Sequence, residues 1–296
     1  MIKEATSGSI STHLSNQHQQ YKPTHYIANP SFHYTSVNMS EWKDKVAIIT
    51  GGSSGIGAGI VVEFAKLGCA VAIVGRNEKN LEGTADKCKS CGLPNEKILC
   101  ITADMVNDDD VKLIVTKTIN KFGKINVLVN NAGISKVGGL PAVNMKEYDE
   151  VMRVNVRSVV LLSQEATPHL IKTKGNIVNI SSVMSNQAWP GILAYAMSKA
   201  AVDHFTRCSA VDLAPKGVRI NSVQPGMIET QIYDRLGMSK EQKDQLMDKN
   251  RRAHPMGRLG TTQDIGRACV FLASENSSFT TGQTLAIDGG FSGTME

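Results

Sequence analysis

Val46-Ala47-Ile48-Ile49, followed by Thr50-Gly51-Gly52-Ser53-Ser54-Gly55-Ile56-Gly57, is the stretch whose reading decides the fold. The apolar run has the length and continuity of a strand buried on both faces of a parallel sheet. Beyond the glycines the period changes. Ile60, Val61, Phe64, Ala65 and Leu67 recur at helical spacing and stop at Gly68. Strand, glycine turn and helix in that order let a helix N-terminus offer free N–H groups and a positive dipole end to a pyrophosphate. The spacing is G-x-x-x-G-x-G rather than G-x-G-x-x-G. A turn of this composition can also be a tight corner that binds nothing, so a second signal is needed.

That signal lies downstream. Tyr195 and Lys199 are four residues apart, one helical turn, and share a helix face. Ser182 precedes the tyrosine by thirteen residues, at the expected end of a strand. An ammonium there would favour the phenolate and make the phenol a better acid near neutrality, for which a free tyrosine, with a pKa of about 10, is poorly matched. The Ser182 hydroxyl could polarise a carbonyl beside it. A Tyr-x-x-x-Lys pair alone occurs on many helix surfaces; the glycine turn upstream gives it weight.

Further pieces are Asn130-Asn131-Ala132-Gly133, Asn155, and Pro225-Gly226 with Thr230. Together with Thr50–Gly57, Ser182 and Tyr195-Ala196-Met197-Ser198-Lys199, they occur in the order found in the short-chain dehydrogenase/reductase family, which the chain resembles over about residues 45–290. The resemblance implies an α/β fold: a single-domain, doubly wound (Rossmann) parallel sheet of about seven strands with helices on both faces. It implies catalysis by Asn155, Ser182, Tyr195 and Lys199, with Ser182 rather than neighbouring Ser181 because of its interval to the tyrosine. It implies a nicotinamide cofactor held by Gly51, Ser53, Ser54, Gly55, Ile56 and Gly57. Asp104 is implied at the adenine amino group, and Asn131, Ala132 and Gly133 beside the adenosine ribose. Tyr195 and Lys199 are implied at the nicotinamide ribose, and Pro225, Gly226, Ile228 and Thr230 at the carboxamide. One of the paired asparagines is expected to bond neighbouring strands instead. Asn155 falls inside a predicted helix, where Asn is mildly unfavourable. In the family such a residue bends the helix and holds a water in a relay to the lysine; the plainer alternative is a packing Asn.

Cofactor choice is read at the end of the second strand. NAD enzymes of this architecture place an acid there for the ribose 2′-hydroxyl. This chain has Gly75-Arg76-Asn77, and its first acid is Glu78. A guanidinium at Arg76 attracts a 2′-phosphate and can stack on adenine, and Ser53 could add a hydroxyl. NADP(H) is therefore favoured over NAD(H). The plainer reading leaves Arg76 as a solvated helix start.

Composition sets the outer bounds. The chain has 296 residues, 41% hydrophobic and 20% charged, as expected of a soluble globular protein. Strands are expected at 45–50, 69–75, 97–102, 125–130, 176–181, 218–223 and 284–287, and helices near 55–67, 78–90, 108–122, 145–171, 194–213, 240–248 and 262–273. This unbroken alternation favours one domain over residues 41–296. No apolar run reaches the roughly 18 residues of a membrane span. The net charge of +5 is mild and scattered, which speaks against a nucleic-acid partner. Cys88-Lys89-Ser90-Cys91 resembles half a redox or zinc site, but no second C-x-x-C accompanies it, so free thiols and no metal are expected. Without a secretory signal the expected compartment is the cytoplasm. Residues 1–40 are rich in Ser, Thr, Asn, Gln and His and read as a disordered extension. Few acids there suggest a mitochondrial presequence, but the absence of arginine argues against it.

The reaction expected is interconversion of a ketone and a secondary alcohol, with Tyr195 as proton donor and Ser182 as a second donor to the same oxygen. A flap over about 230–258, with Met184, Ala188, Trp189 and Met227, would line a pocket for a lipophilic small molecule. A 3-oxoacyl thioester fits the same motifs. A non-enzymatic NADP-sensing scaffold is a third reading, disfavoured because all four catalytic residue types are present. Helices 145–171 and 194–213 carry apolar residues on more than one face. The resemblance implies a homodimer or homotetramer through them, with the last strand, 284–287, favouring the tetramer.

Overall fold

Seven short apolar runs pair edge to edge, all parallel, in the order β3-β2-β1-β4-β5-β6-β7. They are β1 Val46–Thr50, β2 Ala70–Gly75, β3 Ile98–Thr102, β4 Val127–Asn130, β5 Asn176–Ile180, β6 Arg219–Pro225 and β7 Thr284–Ile287. The computed structural model describes residues 39–230 and 239–294. Its helices are α1 Met39–Trp42, α2 Gly55–Lys66, α3 Glu78–Ser90, α4 Asp108–Phe122, α5 Met145–Met152, α6 Ser158–Thr173, α7 Leu193–Leu213, α8 Lys240–Ala253 and α9 Thr262–Ala273. The strand order reverses at β1, which has β2 on one side and β4 on the other. Open sheets of this kind bind ligands outside the carboxyl ends of their strands at such a switch point.

Continuous apolar strands are possible because both faces are covered. Along β1, Ala47 and Ile49 point into one core with Ile60 and Phe64 of α2 and Ile265 of α9. Ile48, between them, points into the other, with Ile114 of α4, Leu162 of α6 and Leu213 of α7. Buried amides cross-link this second layer. Asn130 Nδ2 donates to Asn179 Oδ1 (2.9 Å) and to Ser163 Oγ (3.0 Å), and Asn179 Nδ2 donates to Thr206 Oγ1 (2.9 Å). Asn130 thus bonds the neighbouring strand β5.

Two boundaries differ from expectation. The helix expected at 145–171 is two helices joined by a π-helical turn, Arg153–Arg157, with Asn155 at its centre. The extension expected over 1–40 falls on residues outside the described ones up to 38; Met39 and Ser40 lie in α1, so the fold starts before residue 41. Trp42, in that helix, is fully buried, with its ring edge-on to Phe64 at 5.3 Å. Of the expected flap, residues 231–238 lie outside the described residues. Beyond them α8 opens with a reciprocal cap between Ser239 and Gln242. No helix among the described residues is long and apolar enough to cross a membrane.

Candidate active site

The glycine turn is built by close approach. Gly51 and Gly55 have φ of +65° and +53°, which side chains rarely tolerate. A Cβ on Gly57 would fall 2.2 Å from the Gly51 carbonyl oxygen, so the turn closes only around glycine. Thr50 secures it from beneath. Its Oγ1 accepts from the N–H groups of Asn131 and Ala132, both at 3.0 Å, while Asn131 Nδ2 donates to the Thr50 carbonyl at 2.7 Å. The carboxyl ends of β1 and β4 are therefore locked together where the cavity begins. Ser54 precedes α2 with no side-chain cap bond, which leaves the helix start to a ligand.

A cavity of about 310 Å³ opens there. Its walls include Gly51, Ser53, Ser54, Gly55, Ile56, Gly57, Arg76, Asp104, Asn131, Ala132, Gly133 and Thr230, a set assembled from the ends of β1 to β4 and the segment after β6. These fit a dinucleotide: a glycine cradle, an uncapped helix N-terminus, and a guanidinium and a carboxylate at the far end. Thr230 meets the turn directly, its Cγ2 lying 3.6 Å from where a Gly55 Cβ would stand. Arg76 Nη1 lies 3.9 Å from Asp104 Oδ2, both side chains open to solvent. Two residues assigned separate tasks from sequence are thus neighbours. At Gly75, which also lines the cavity, a Cβ would come 2.9 Å from Ser53 Oγ. No acid fits there unless Ser53 gives way.

Pro225, Gly226 and Ile228, like Ser182, Tyr195 and Lys199, are not among the walls of this cavity. Pro225 pairs with Ile287 in the ladder, and the Gly226 N–H donates to the Ile287 carbonyl at 3.0 Å. Ile228 is buried in the first core and bridges to Gly260. They fix the path of the chain, and that path delivers Thr230.

The four candidate catalytic residues converge beyond Gly133. A Cβ there would lie 3.3 Å from Asn155 Oδ1 and 3.4 Å from Lys199 Nζ, so glycine lets the cavity reach both. Asn155, 1% exposed, accepts from the Ile134 N–H (2.8 Å) and donates to the Ile134 carbonyl (2.8 Å) and to Ser198 Oγ (2.9 Å). Ser198 Oγ in turn donates to the Tyr195 carbonyl at 2.7 Å. Ser198 lies inside the Tyr195–Lys199 stretch, where the sequence assigned it no role of its own. Ser181 Oγ donates to the Lys199 carbonyl at 3.2 Å and is committed to the fold, whereas Ser182 Oγ caps the next turn by accepting from the Met184 N–H at 3.2 Å.

Lys199 Nζ donates to the Ile180 carbonyl at 2.8 Å and sits 5.6 Å from the centre of the Tyr195 ring. Burial lowers this lysine to about 8, with Asp203 acting in the opposite sense. Burial also pushes the Tyr195 phenol above its ordinary value, offset in part by a bond with Ser182. Burial thus works against the acidifying effect expected of the ammonium. Desolvation disfavours the charged form of each group. Among the described residues no cluster of three or more His, Cys, Asp or Glu could hold a metal ion, and Cys88 and Cys91 are free thiols.

Comparison with known proteins follows the same outline. The pattern of the family described as enoyl-(acyl carrier protein) reductase matches residues 51–292. The chain is 36% identical over 247 residues to a 3-oxoacyl-[acyl-carrier-protein] reductase, FabG, of Thermotoga maritima, covering 83% of this chain and 97% of the relative. It is 39% identical over 251 residues to 2-(R)-hydroxypropyl-CoM dehydrogenase of Xanthobacter autotrophicus, covering 83% and 98%. Among solved structures, a short-chain dehydrogenase/reductase of unknown function from Caenorhabditis elegans, with cofactor, superposes with a TM-score of 0.80 at 36% identity, covering 85% of this chain and 96% of that one.

Proposed function

Because the chain belongs to the short-chain dehydrogenase/reductase family, we propose that it is an NADP(H)-dependent oxidoreductase interconverting a ketone and a secondary alcohol on a lipophilic small molecule. The observation that carries this reading is the convergence of Asn155, Lys199 and Tyr195 at the end of a glycine-walled cavity, with Ser182 bonded to the phenol.

A bound nicotinamide cofactor supplies the hydride. The protein's share is proton supply and charge placement. Tyr195 donates its phenolic proton to the substrate oxygen as negative charge builds there, and Ser182 donates a second hydrogen bond to that oxygen. Lys199 stabilises the phenolate left behind. Asn155, anchored at Ile134 and Ser198, holds the backbone of α7 and the segment after β4 in register.

Two features support NADP(H): Arg76 at the cavity wall, and the lack of an acid at Gly75, where a Cβ would crowd Ser53. Support for a lipophilic substrate comes from two loops. Val137 and Leu140 in one are 85% and 80% exposed, and Trp189 in the other is 45% exposed. The loops are tied by the Gly138 N–H donating to the Gly191 carbonyl at 2.8 Å. The second reading, a 3-oxoacyl thioester, is favoured by the FabG relative. A homodimer or homotetramer is supported by the apolar surface left on α6 and α7, Val160 and Val211, 40% and 77% exposed.

The test is a panel of ketones, alcohols and 3-oxoacyl thioesters followed at the NADPH absorbance and repeated with NADH. Turnover with NADPH on apolar ketones is expected; turnover confined to NADH, or none with any carbonyl, would overturn the reading.

A further inference from the structure

We propose that Asp203 is a positioning residue of the active site, a buried counter-charge one helical turn beyond Lys199 that also fastens the turn carrying Ser182. The proposal rests on the reading of Lys199 given above. Tyr195, Lys199 and Asp203 recur at four-residue intervals along α7 and so share one face. Asp203 is 2% exposed, although acids on helices ordinarily face water. Its Oδ1 accepts from Ser222 Oγ at 2.6 Å and its Oδ2 from Gln224 Nε2 at 2.8 Å. The same Gln224 Nε2 donates to Ser185 Oγ at 2.7 Å, in the turn Val183–Ser185 that Ser182 caps. One carboxylate therefore binds α7 to β6 and, through Gln224, to the catalytic serine's own turn.

Both donors to this carboxylate are neutral, and a neutral acceptor could take the same bonds without the cost of burying a charge. What the charge adds is a field at Lys199, 5% exposed, whose ammonium bonds the Ile180 carbonyl. The groups around the pair from other elements carry no charge. They are Asn155 from the π turn, Ser181 and Ser182 after β5, Ser185 in the turn, and Ser222 and Gln224 from β6. Arg153 and Arg157 of the π turn are exposed and pair with Asp108 instead. On α7 itself the titratable neighbours are Tyr195, one turn before the lysine, and His204 and Arg207 beyond Asp203, which are exposed and lie 3.3 Å from each other. Asp203 is thus the negative charge that keeps a desolvated lysine protonated.

The test compares wild type, Asp203→Asn, Lys199→Met and the double variant in the full chain. One readout is melting temperature from about pH 6 to 10; the other is the pH profile of kcat/KM for carbonyl reduction. Asn keeps one acceptor, for the Gln224 amide, and can turn its own N–H toward the Ser222 hydroxyl, while removing the charge. Lys199 falls from its ordinary 10.5 to about 8 in the fold, so the fold carries the penalty of a charged, buried lysine below about 8 and sheds it as pH rises through that window. Without Asp203 the penalty grows. Asp203→Asn should therefore melt furthest below wild type under pH 8, with the gap closing at higher pH. In the Lys199→Met background the sign should reverse, the double variant melting above Lys199→Met, because the lone carboxylate is gone. That comparison holds even if Asp203→Asn alone does not fold. The alkaline limb of kcat/KM should move down by about one pH unit. A melting gap that is constant with pH, or an Asn substitution that costs the same in both backgrounds, would overturn the proposal and leave Asp203 a plain hydrogen-bond anchor. Wild-type turnover in Lys199→Met would instead sink the catalytic reading of the lysine, which the melting data do not depend on.

Discussion

Burial acts on both ionisable groups of the catalytic pair, and it acts in opposite directions. It raises Tyr195 and lowers Lys199, so the neutral phenol and a lysine titrating near 8 face each other across a ring contact of 5.6 Å. The phenol is thereby neutral and a weaker acid than a free tyrosine, so proton donation relies on Lys199 and Ser182 to stabilise the phenolate as the proton leaves. Tyr195→Phe should cut turnover by about 10²–10⁴-fold, the usual scale of a general acid, while a fluorescence titration shows cofactor affinity little changed. Retention of the wild-type rate would remove the acid assignment. At the other end of the cavity, Arg76→Ala should raise the KM for NADPH by about 10–100-fold, the weight of a charge-assisted bond, and leave that for NADH nearly as it was. An equal change for both cofactors would mean that Arg76 does not read the 2′-phosphate. Both residues were legible in the sequence because their types and spacing are unusual together. Asp203 and Ser198 were not, since a carboxylate and a serine on a helix carry no mark until their partners on β6 and the π turn are known.

At the scale of elements, the helix that begins at the glycine turn is held from behind. A Cβ on Gly59 of α2 would stand 2.4 Å from Thr262 Cβ of α9, so the two helices touch backbone to side chain. Gly59→Ala should cost about 1–3 kcal/mol of stability, measured as a lower urea midpoint, because the overlap can be relieved only by parting the helices. An unchanged midpoint would show that the contact yields freely. The π turn is the other element on which the site depends. Asn155→Ala leaves the Ile134 N–H and carbonyl without their partner in a buried place, and should lower stability by about 1–3 kcal/mol along with turnover. Equal stability would indicate that water replaces the amide. Periodicity gave one helix over 145–171 and missed the interruption, because a single extra residue in a turn shifts the apolar pattern less than side-chain variety blurs it. The interruption is what turns Asn155 toward Ile134 and Ser198.

At the scale of the whole molecule, the alternation of apolar runs and amphipathic segments was enough to expect a doubly wound parallel sheet. Each strand must be covered on both faces, and right-handed crossovers leave few arrangements. The start of the fold was placed two residues late, because the sequence from Met39 to Trp42 has no pattern of its own. Its place is fixed by Trp42, fully buried against Phe64 with Lys45 Nζ 4.9 Å over its ring. Trp42→Ala should destabilise the protein by about 3–5 kcal/mol in chemical denaturation. A loss below 1 kcal/mol would show that α1 is an appendage and no part of the core.

By itself the sequence determined the local chemistry: where the backbone must bend, which residue types can carry a proton or a phosphate, and which segments must be strand or helix. These follow from constraints that act within a few residues along the chain. Only the tertiary structure decided which of those groups meet. It set Gly133 against Lys199 and Asn155, placed Thr230 beside Gly55, sent Pro225 and Gly226 to the sheet, and buried Asp203 beneath the lysine. Burial and contact depend on neighbours remote in the chain, and burial, acting through desolvation, fixes the protonation of Tyr195 and Lys199.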